Sequence, residues 1–90
     1  MESRFTLYIL RKHLFVDTTE GRTLIDTGAP FTASRSGSLF WGGKNRKVHK
    51  GGYLGFDFDT MSANIGAQVD ALVGLDLLSE EAMHFDLIAG

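Results

Sequence analysis

Short runs of aromatic and β-branched residues, separated by turn residues, dominate the chain. Apolar and polar positions alternate in the run at residues 53–59, which is typical of a strand with one buried face. The pattern predicts strands at Arg4–Leu10, His13–Asp17, Arg22–Ile25, Phe31–Ser34, Leu39–Trp41, Arg46–Lys50, Tyr53–Asp59, Val69–Val73 and Phe85–Ile88.

Glycines divide these strands from one another. Gly21 can adopt a positive φ between the second and third predicted strands, and glycine pairs at 42–43 and 51–52 predict further sharp turns. Residues 60–68 are interpreted as loop because they contain Ser62, Asn64 and Gly66. The convincing helix is Leu75–Met83, in which apolar residues recur at helical spacing.

These elements predict a mostly β protein, a small closed β-barrel or sandwich with one short C-terminal helix. Residues 1–90 would form a single domain. A chain of this size buries only about 60–65% of the surface that it exposes when unfolded, so its core is marginal by itself. Oligomerisation is one ordinary remedy.

Composition narrows the classes of partner. A net charge of −2 argues against nucleic acid, and the basic residues at 44–50 are interpreted as a solvated hairpin tip. There is no run of 18 apolar residues, which predicts no membrane partner. Because Met1–Leu10 lacks the apolar segment of a secretory signal, we expect a cytoplasmic protein.

Metal and cofactor chemistry finds little support in the sequence. The chain has no cysteine, and its histidines, at 13, 49 and 84, lack the spacing of metal ligands. Asp57, Asp59 and Asp70 do not form a calcium loop and are interpreted as solvent-facing acids. Trp41 is interpreted as a core residue. The prediction is a protein without metal or cofactor.

The segment LIDTGA, residues 24–29, carries the most informative chemistry. Asp26 stands where an apolar strand meets a tight turn, so we expect it to be partly solvated. Gly28 can turn the backbone sharply and admit another chain, and the Thr27 hydroxyl can bond a neighbouring backbone. The alternative is an ordinary turn that is closed by an Asx-type hydrogen bond.

LIDTGA resembles the catalytic signature of aspartic peptidases, and its final Ala29 is similar to the retropepsin branch. VDALVGLDLL, residues 69–78, resembles the strand, glycine and short helix near the C-terminus of those proteins. In that family the strand and its glycine, here Gly74, pack beneath the catalytic loop. The resemblance implies a retropepsin-like fold of the single-domain bacterial type.

The resemblance also implies a function. Each subunit of a homodimer would supply one Asp26, and the two carboxylates would share a proton and activate a water against a peptide or protein substrate. Thr27 would lock the two loops across the dimer axis, and Gly28 would bond the substrate backbone. No metal or cofactor would be needed.

Residues 50–56, KGGYLGF, are similar to a glycine-rich flap tip, which would place Gly52, Tyr53 and Leu54 over the substrate. The alternative is that they form another loop. Asp26 and Gly74 are closer in sequence than in a full retropepsin, so part of the middle is shortened.

Viral members carry an acid and an arginine that pair where this chain has Pro30 and Leu75. Both charges of the pair are missing together, so neither charge remains without its partner. Retropepsin dimers also interleave their terminal strands, a role open to the first and last predicted strands. The chain could be a fragment of a longer protein.

Two alternatives to an active peptidase stay open. The first is a catalytically inactive retropepsin-like module for dimerisation or peptide binding, which the shortened middle favours. The second is an accidental DTGA match on an unrelated β-barrel.

Overall fold

The computed structural model describes residues 3–53, 55–80 and 83–88. Their elements confirm a mostly β protein. The strands are β1 (Ser3–Leu10), β2 (His13–Thr18), β3 (Gly21–Ile25), β4 (Ala33–Ser34), β5 (Ser38–Trp41), β6 (Lys44–Lys47), β7 (His49–Lys50), β8 (Gly52–Tyr53), β9 (Phe56–Asp57), β10 (Ala71–Val73) and β11 (Met83–Ile88). The helices are α1 (Phe58–Ile65) and α2 (Leu75–Leu78).

Seven of these strands form one sheet in the order β11-β1-β2-β3-β10-β4-β7. The hairpins β1–β2 and β2–β3 are antiparallel, and β10 lies parallel to β3 and antiparallel to β4. The pairs β5–β6 and β8–β9 are separate hairpins. Within the described ranges β11 and β7 are edge strands, so the sheet is open and does not close into the predicted barrel.

The terminal strands pair with each other inside one chain. β1 lies parallel to β11 from the Ser3–Met83 pair to the Tyr8–Ile88 pair, and it pairs with β2 from Leu7 onward. The pairing that the resemblance assigned to a dimer is therefore made within the subunit.

Side chains alternate across the sheet and build a core on each face. Phe15 and Leu72 point to the face that α1 covers with Phe58. Their sequence neighbours point to the opposite face, which Trp41 of β5 and Leu77 of α2 cover. Trp41 is 1% exposed, as predicted for a core residue. Burial of each large apolar side chain contributes roughly 1.5–3 kcal/mol, so the covering elements are integral to the fold.

The helix α1 replaces the strand end and loop that the sequence pattern predicted for residues 58–68. It begins after Asp57, whose side chain accepts the Thr60 N–H, and ends at Gly66, where φ is 85°. Between these caps Phe58, Met61 and Ile65 face the core. The alternating phenylalanines at 56 and 58 suggested a strand, whereas the caps and the wider spacing are those of a helix.

The helix after Gly74 is present but shorter than the predicted Leu75–Met83. It ends at Leu78, where the Ser79 N–H donates to the carbonyl oxygen of Leu75. By Met83 the chain has entered β11 and pairs with β1. In the part of the chain that the structure describes, no helix is long and apolar enough to span a membrane.

Asp70 is a buried acid, and the prediction that it faces solvent is wrong. The residue is 9% exposed. Its carboxylate accepts hydrogen bonds from the Arg22 backbone N–H at 2.9 Å, Gln68 Nε2 at 2.8 Å and Arg35 Nε at 3.3 Å. Arg35 also contacts Asp59 of α1 at 2.8 Å, so it connects the helix to the segment before β10.

We expect Asp70→Asn to lower the free energy of unfolding by about 2 kcal/mol, because three donors lose a charged acceptor that is itself buried. Asp59→Asn should change it by less than about 0.5 kcal/mol, because that side chain is exposed and its ion pair is solvated. Urea unfolding of both variants is the measurement. Equal losses in the two variants would contradict the assignment of Asp70 as the structural acid.

The cap of α1 should make stability depend on pH. The hydrogen bond from the Thr60 backbone N–H lowers the pKa of Asp57 below its ordinary value of 3.8. A lowered folded-state pKa contributes stability that is present above the ordinary value and lost as pH falls through the folded value. Asp57→Asn retains an acceptor that does not titrate. The free energy of unfolding of the parent relative to this variant, measured by urea unfolding, should therefore fall on acidification below pH 3.8. A difference that is the same at neutral and at acidic pH would contradict this role.

Candidate active site

The loop at residues 26–32 crosses the C-terminal end of β10. β3 and β4 flank β10 on opposite sides, so the chain must pass over the end of that strand to reach β4. Asp26 opens the loop directly after β3, and its backbone N–H donates to the carbonyl oxygen of Val73 at 3.0 Å. The topology therefore places the acid of the LIDTGA motif at a strand end.

The Asp26 carboxylate is held by its own loop. Oδ1 accepts the Gly28 N–H at 2.9 Å, and the Asp26 carbonyl accepts the Ala29 N–H at 3.1 Å. The Asx-type bond of the plain-turn alternative is thus present. Oδ2 has no hydrogen-bond donor among the described residues, and the side chain is half-buried, as predicted.

Thr27 and Gly28 are both exposed at the tip of this loop. Gly28 does not have a positive φ, so the backbone conformation of this turn does not itself require a glycine. A Cβ at Gly28 would lie 3.3 Å from Asp26 Oδ1, so the absence of a side chain leaves the carboxylate uncrowded. The Thr27 hydroxyl bonds no described residue of this chain, so its expected bond to a neighbouring backbone stays a prediction.

Gly74 packs directly beneath this loop, as the resemblance implied. A Cβ at Gly74 would lie 2.6 Å from the carbonyl oxygens of both Ala29 and Phe31, a distance that no side chain tolerates. The next residue, Leu75, donates its N–H to the Ala29 carbonyl at 2.7 Å. Ala29 itself is 1% exposed, so the loop is packed tightly onto the end of β10.

Thr32 and Asp76 complete the attachment, and the sequence analysis did not identify them. Thr32 Oγ1 donates to Asp76 Oδ1 at 2.6 Å and accepts the Gly74 N–H at 3.1 Å. The Thr32 backbone N–H donates to Asp76 Oδ2 at 3.1 Å. The available signal was the acid in the first turn of a helix, where the helix dipole favours it, together with a threonine in an apolar segment.

The predicted flap residues form a short antiparallel hairpin. Gly52 pairs with Asp57, and Tyr53 pairs with Phe56. The hairpin packs through β8 against β4, which directly follows the Asp26 loop. Gly52 is half-buried. Leu54 and the Tyr53 side chain lie outside the described residues.

A cavity of about 360 Å³ lies at the other end of β3, about 15 Å away along the strand. Its one buried carboxylate, Asp70, already accepts the three hydrogen bonds given above, so the cavity is part of a structural network. The cavity is lined by Asp17, Thr18, Gly21, Arg22, Gln68 and Asp70.

Across residues 3–53, 55–80 and 83–88, no group of three or more His, Cys, Asp or Glu side chains is placed to hold a metal.

Comparison of the chain with protein-family models, with curated proteins and with solved structures finds no match. The assignment of a function therefore depends on the loop and its surroundings.

We expect Gly74→Ala to destabilise the protein by about 3 kcal/mol, because the new methyl group would overlap two backbone carbonyl oxygens that cannot easily move. Gly43→Ala is the matched control, since it introduces backbone strain at φ 85° without a steric contact within 4 Å. That strain should destabilise by about 1 kcal/mol. Thermal and urea unfolding compare the two, and equal effects would contradict the close packing beneath the loop.

Proposed function

We propose that this chain is one subunit of a homodimeric aspartic endopeptidase with a retropepsin-like fold. In this proposal two Asp26 carboxylates, one from each subunit, activate a water for hydrolysis of a peptide bond. The observation that carries it is the Asp26 loop. Its carboxylate is held by one oxygen at the Gly28 N–H, while the other oxygen has no donor in the described part of the chain.

The chemistry follows from two acids in one place. Two nearby carboxylates cannot both ionise cheaply, so the pair keeps one proton over a wide pH range. The charged Asp26 takes a proton from water as the water oxygen attacks the carbonyl carbon, and the neutral Asp26 protonates the carbonyl oxygen. The Asp26 that took the proton from water then donates it to the amide nitrogen as the C–N bond breaks, and the other Asp26 takes a proton from a hydroxyl of the intermediate, which restores the starting pair.

The loop also supplies groups for binding a substrate. Because the Gly28 N–H is used by Asp26, the Gly28 carbonyl oxygen is the group that could accept an N–H from an extended peptide. The hairpin β8–β9 would cover that peptide from the other side. The Thr27 hydroxyl would bond the second loop across the two-fold axis. A largely apolar substrate fits the uncharged side chains that surround Asp26 in the loop.

A second candidate is a catalytically inactive module of the same fold that dimerises or binds peptides. The observation that favours it is the size of the hairpin β8–β9, which has two residue pairs. So short a cover would leave water at the carboxylates and weaken their interaction. The same surface would then bind an extended peptide without cleaving it.

Asp26→Asn is the decisive variant, because an asparagine keeps the acceptor for the Gly28 N–H but cannot serve as the acid or base. We expect it to reduce cleavage of a peptide library by at least about 100-fold at acidic and neutral pH. Asp59→Asn, which changes an exposed acid of α1, should cleave like the parent. Equal cleavage by the parent and Asp26→Asn would remove the proposal.

Mixing the parent with Asp26→Asn separates a shared site from one confined to a single chain. After subunit exchange in an equal mixture, a shared site leaves about one quarter of the parent activity, whereas independent sites leave about one half. The inactive module predicts no cleavage by the parent. It also predicts peptide binding that survives in Asp26→Asn.

A further inference from the structure

An exposed, uncharged patch surrounds Asp26. It consists of Thr27, Gly28, Pro30 and Leu75, all of them exposed. Leu75 is the large apolar member, with 47% of its surface exposed. Its backbone N–H bonds the Ala29 carbonyl at 2.7 Å, so this residue lies at the base of the Asp26 loop.

Charged groups are scarce in the two chain segments that form this patch. Residues 26–34 and 74–78 contain two ionisable side chains, Asp26 and Asp76. The Asp76 carboxylate already accepts hydrogen bonds from the hydroxyl and the backbone N–H of Thr32. Neither segment contains a lysine or an arginine, so an ion pair from these segments cannot hold a partner on the patch.

The absence of charge favours a second copy of this chain as the occupant. In a two-fold dimer the same surface of both copies meets, so a patch with charge of one sign repels itself while an uncharged apolar patch is self-complementary. Burying an exposed leucine beside the axis removes apolar surface from water in both copies at once, which stabilises the dimer. A small domain with a marginal core also benefits most from such burial.

We infer that Leu75 of each copy packs against the other copy beside the two Asp26 loops, and that this apolar contact holds together the dimer that completes the site. The inference rests on the proposed function, since it specifies how the two Asp26 residues are brought together. It assigns to Leu75 the support that a charged pair supplies in viral retropepsins. Leu75 is a positioning residue in this inference, because it acts by bringing the two Asp26 side chains together and takes no part in proton transfer.

The test measures dimerisation and cleavage separately. Sedimentation over a range of concentrations gives the dimer dissociation constant of the parent, Leu75→Lys and Leu75→Met. We expect Leu75→Lys to raise that constant by about 30-fold or more, and Leu75→Met to stay near the parent. Phe40→Lys is the matched control, since Phe40 is a similarly exposed apolar residue, 44% exposed, in β5 and outside both segments of the patch. It should dimerise like the parent.

Two further readouts distinguish an interface role from a general loss of structure. Leu75→Lys should regain cleavage as its concentration is raised, because its active site is intact once dimerised. The parent dimer should not weaken between low and high salt, as it would if ion pairs held it together. If Leu75→Lys does not fold, Leu75→Gln, which is uncharged, replaces it in the same measurements.

The outcomes separate the inference from the proposed function. If Leu75→Lys dimerises as tightly as the parent, or Phe40→Lys dissociates equally, the inference is overturned and the peptidase proposal stands on its cleavage data. If the parent dimerises through Leu75 but cleaves nothing, the inference stands and the peptidase fails. A parent that is monomeric at every concentration overturns both.

Discussion

The close approach of Gly74 to the Asp26 loop is the contact on which the rest of the structure depends. Without a side chain at this position, β10 can end directly beneath the carbonyl oxygens of Ala29 and Phe31. Hydrogen bonds from Leu75 to Ala29 and from Gly74 to Thr32 then fasten the loop to the strand end. A loop held in this way keeps its acid in one place, which any catalytic or binding role of Asp26 requires.

The same strand joins the site to the core. β10 lies between β3 and β4, and its side chains contribute alternately to the apolar clusters on the two faces of the sheet. The helix α1 covers one face, while the β5–β6 hairpin and α2 cover the other. Because α2 follows Gly74 directly, a change in the packing of Leu77 would shift the position of the loop. Stability and the position of Asp26 are therefore linked through β10.

In the proposed peptidase, a single chain supplies one of the two catalytic acids. One oxygen of Asp26 is engaged by the Gly28 N–H, an arrangement that serves an ordinary turn and a catalytic carboxylate equally well. What distinguishes the two is a second acid, and the loop itself contains no other. In the proposed dimer, the exposed Leu75 would give a second copy a reason to bind, and the two Asp26 side chains would then meet.

The sequence by itself determined the local elements, because strand alternation, turn glycines and the order of LIDTGA and Gly74 are properties of neighbouring residues. It predicted Asp26 at a strand end and Trp41 in the core. It missed α1, since Phe56 and Phe58 alternate as in a strand and the helix is specified by its caps. Only the tertiary structure buried Asp70 against Arg22 and Arg35, joined Thr32 to Asp76, and left the sheet open. Those features depend on contacts between residues far apart in the chain, which no local pattern encodes.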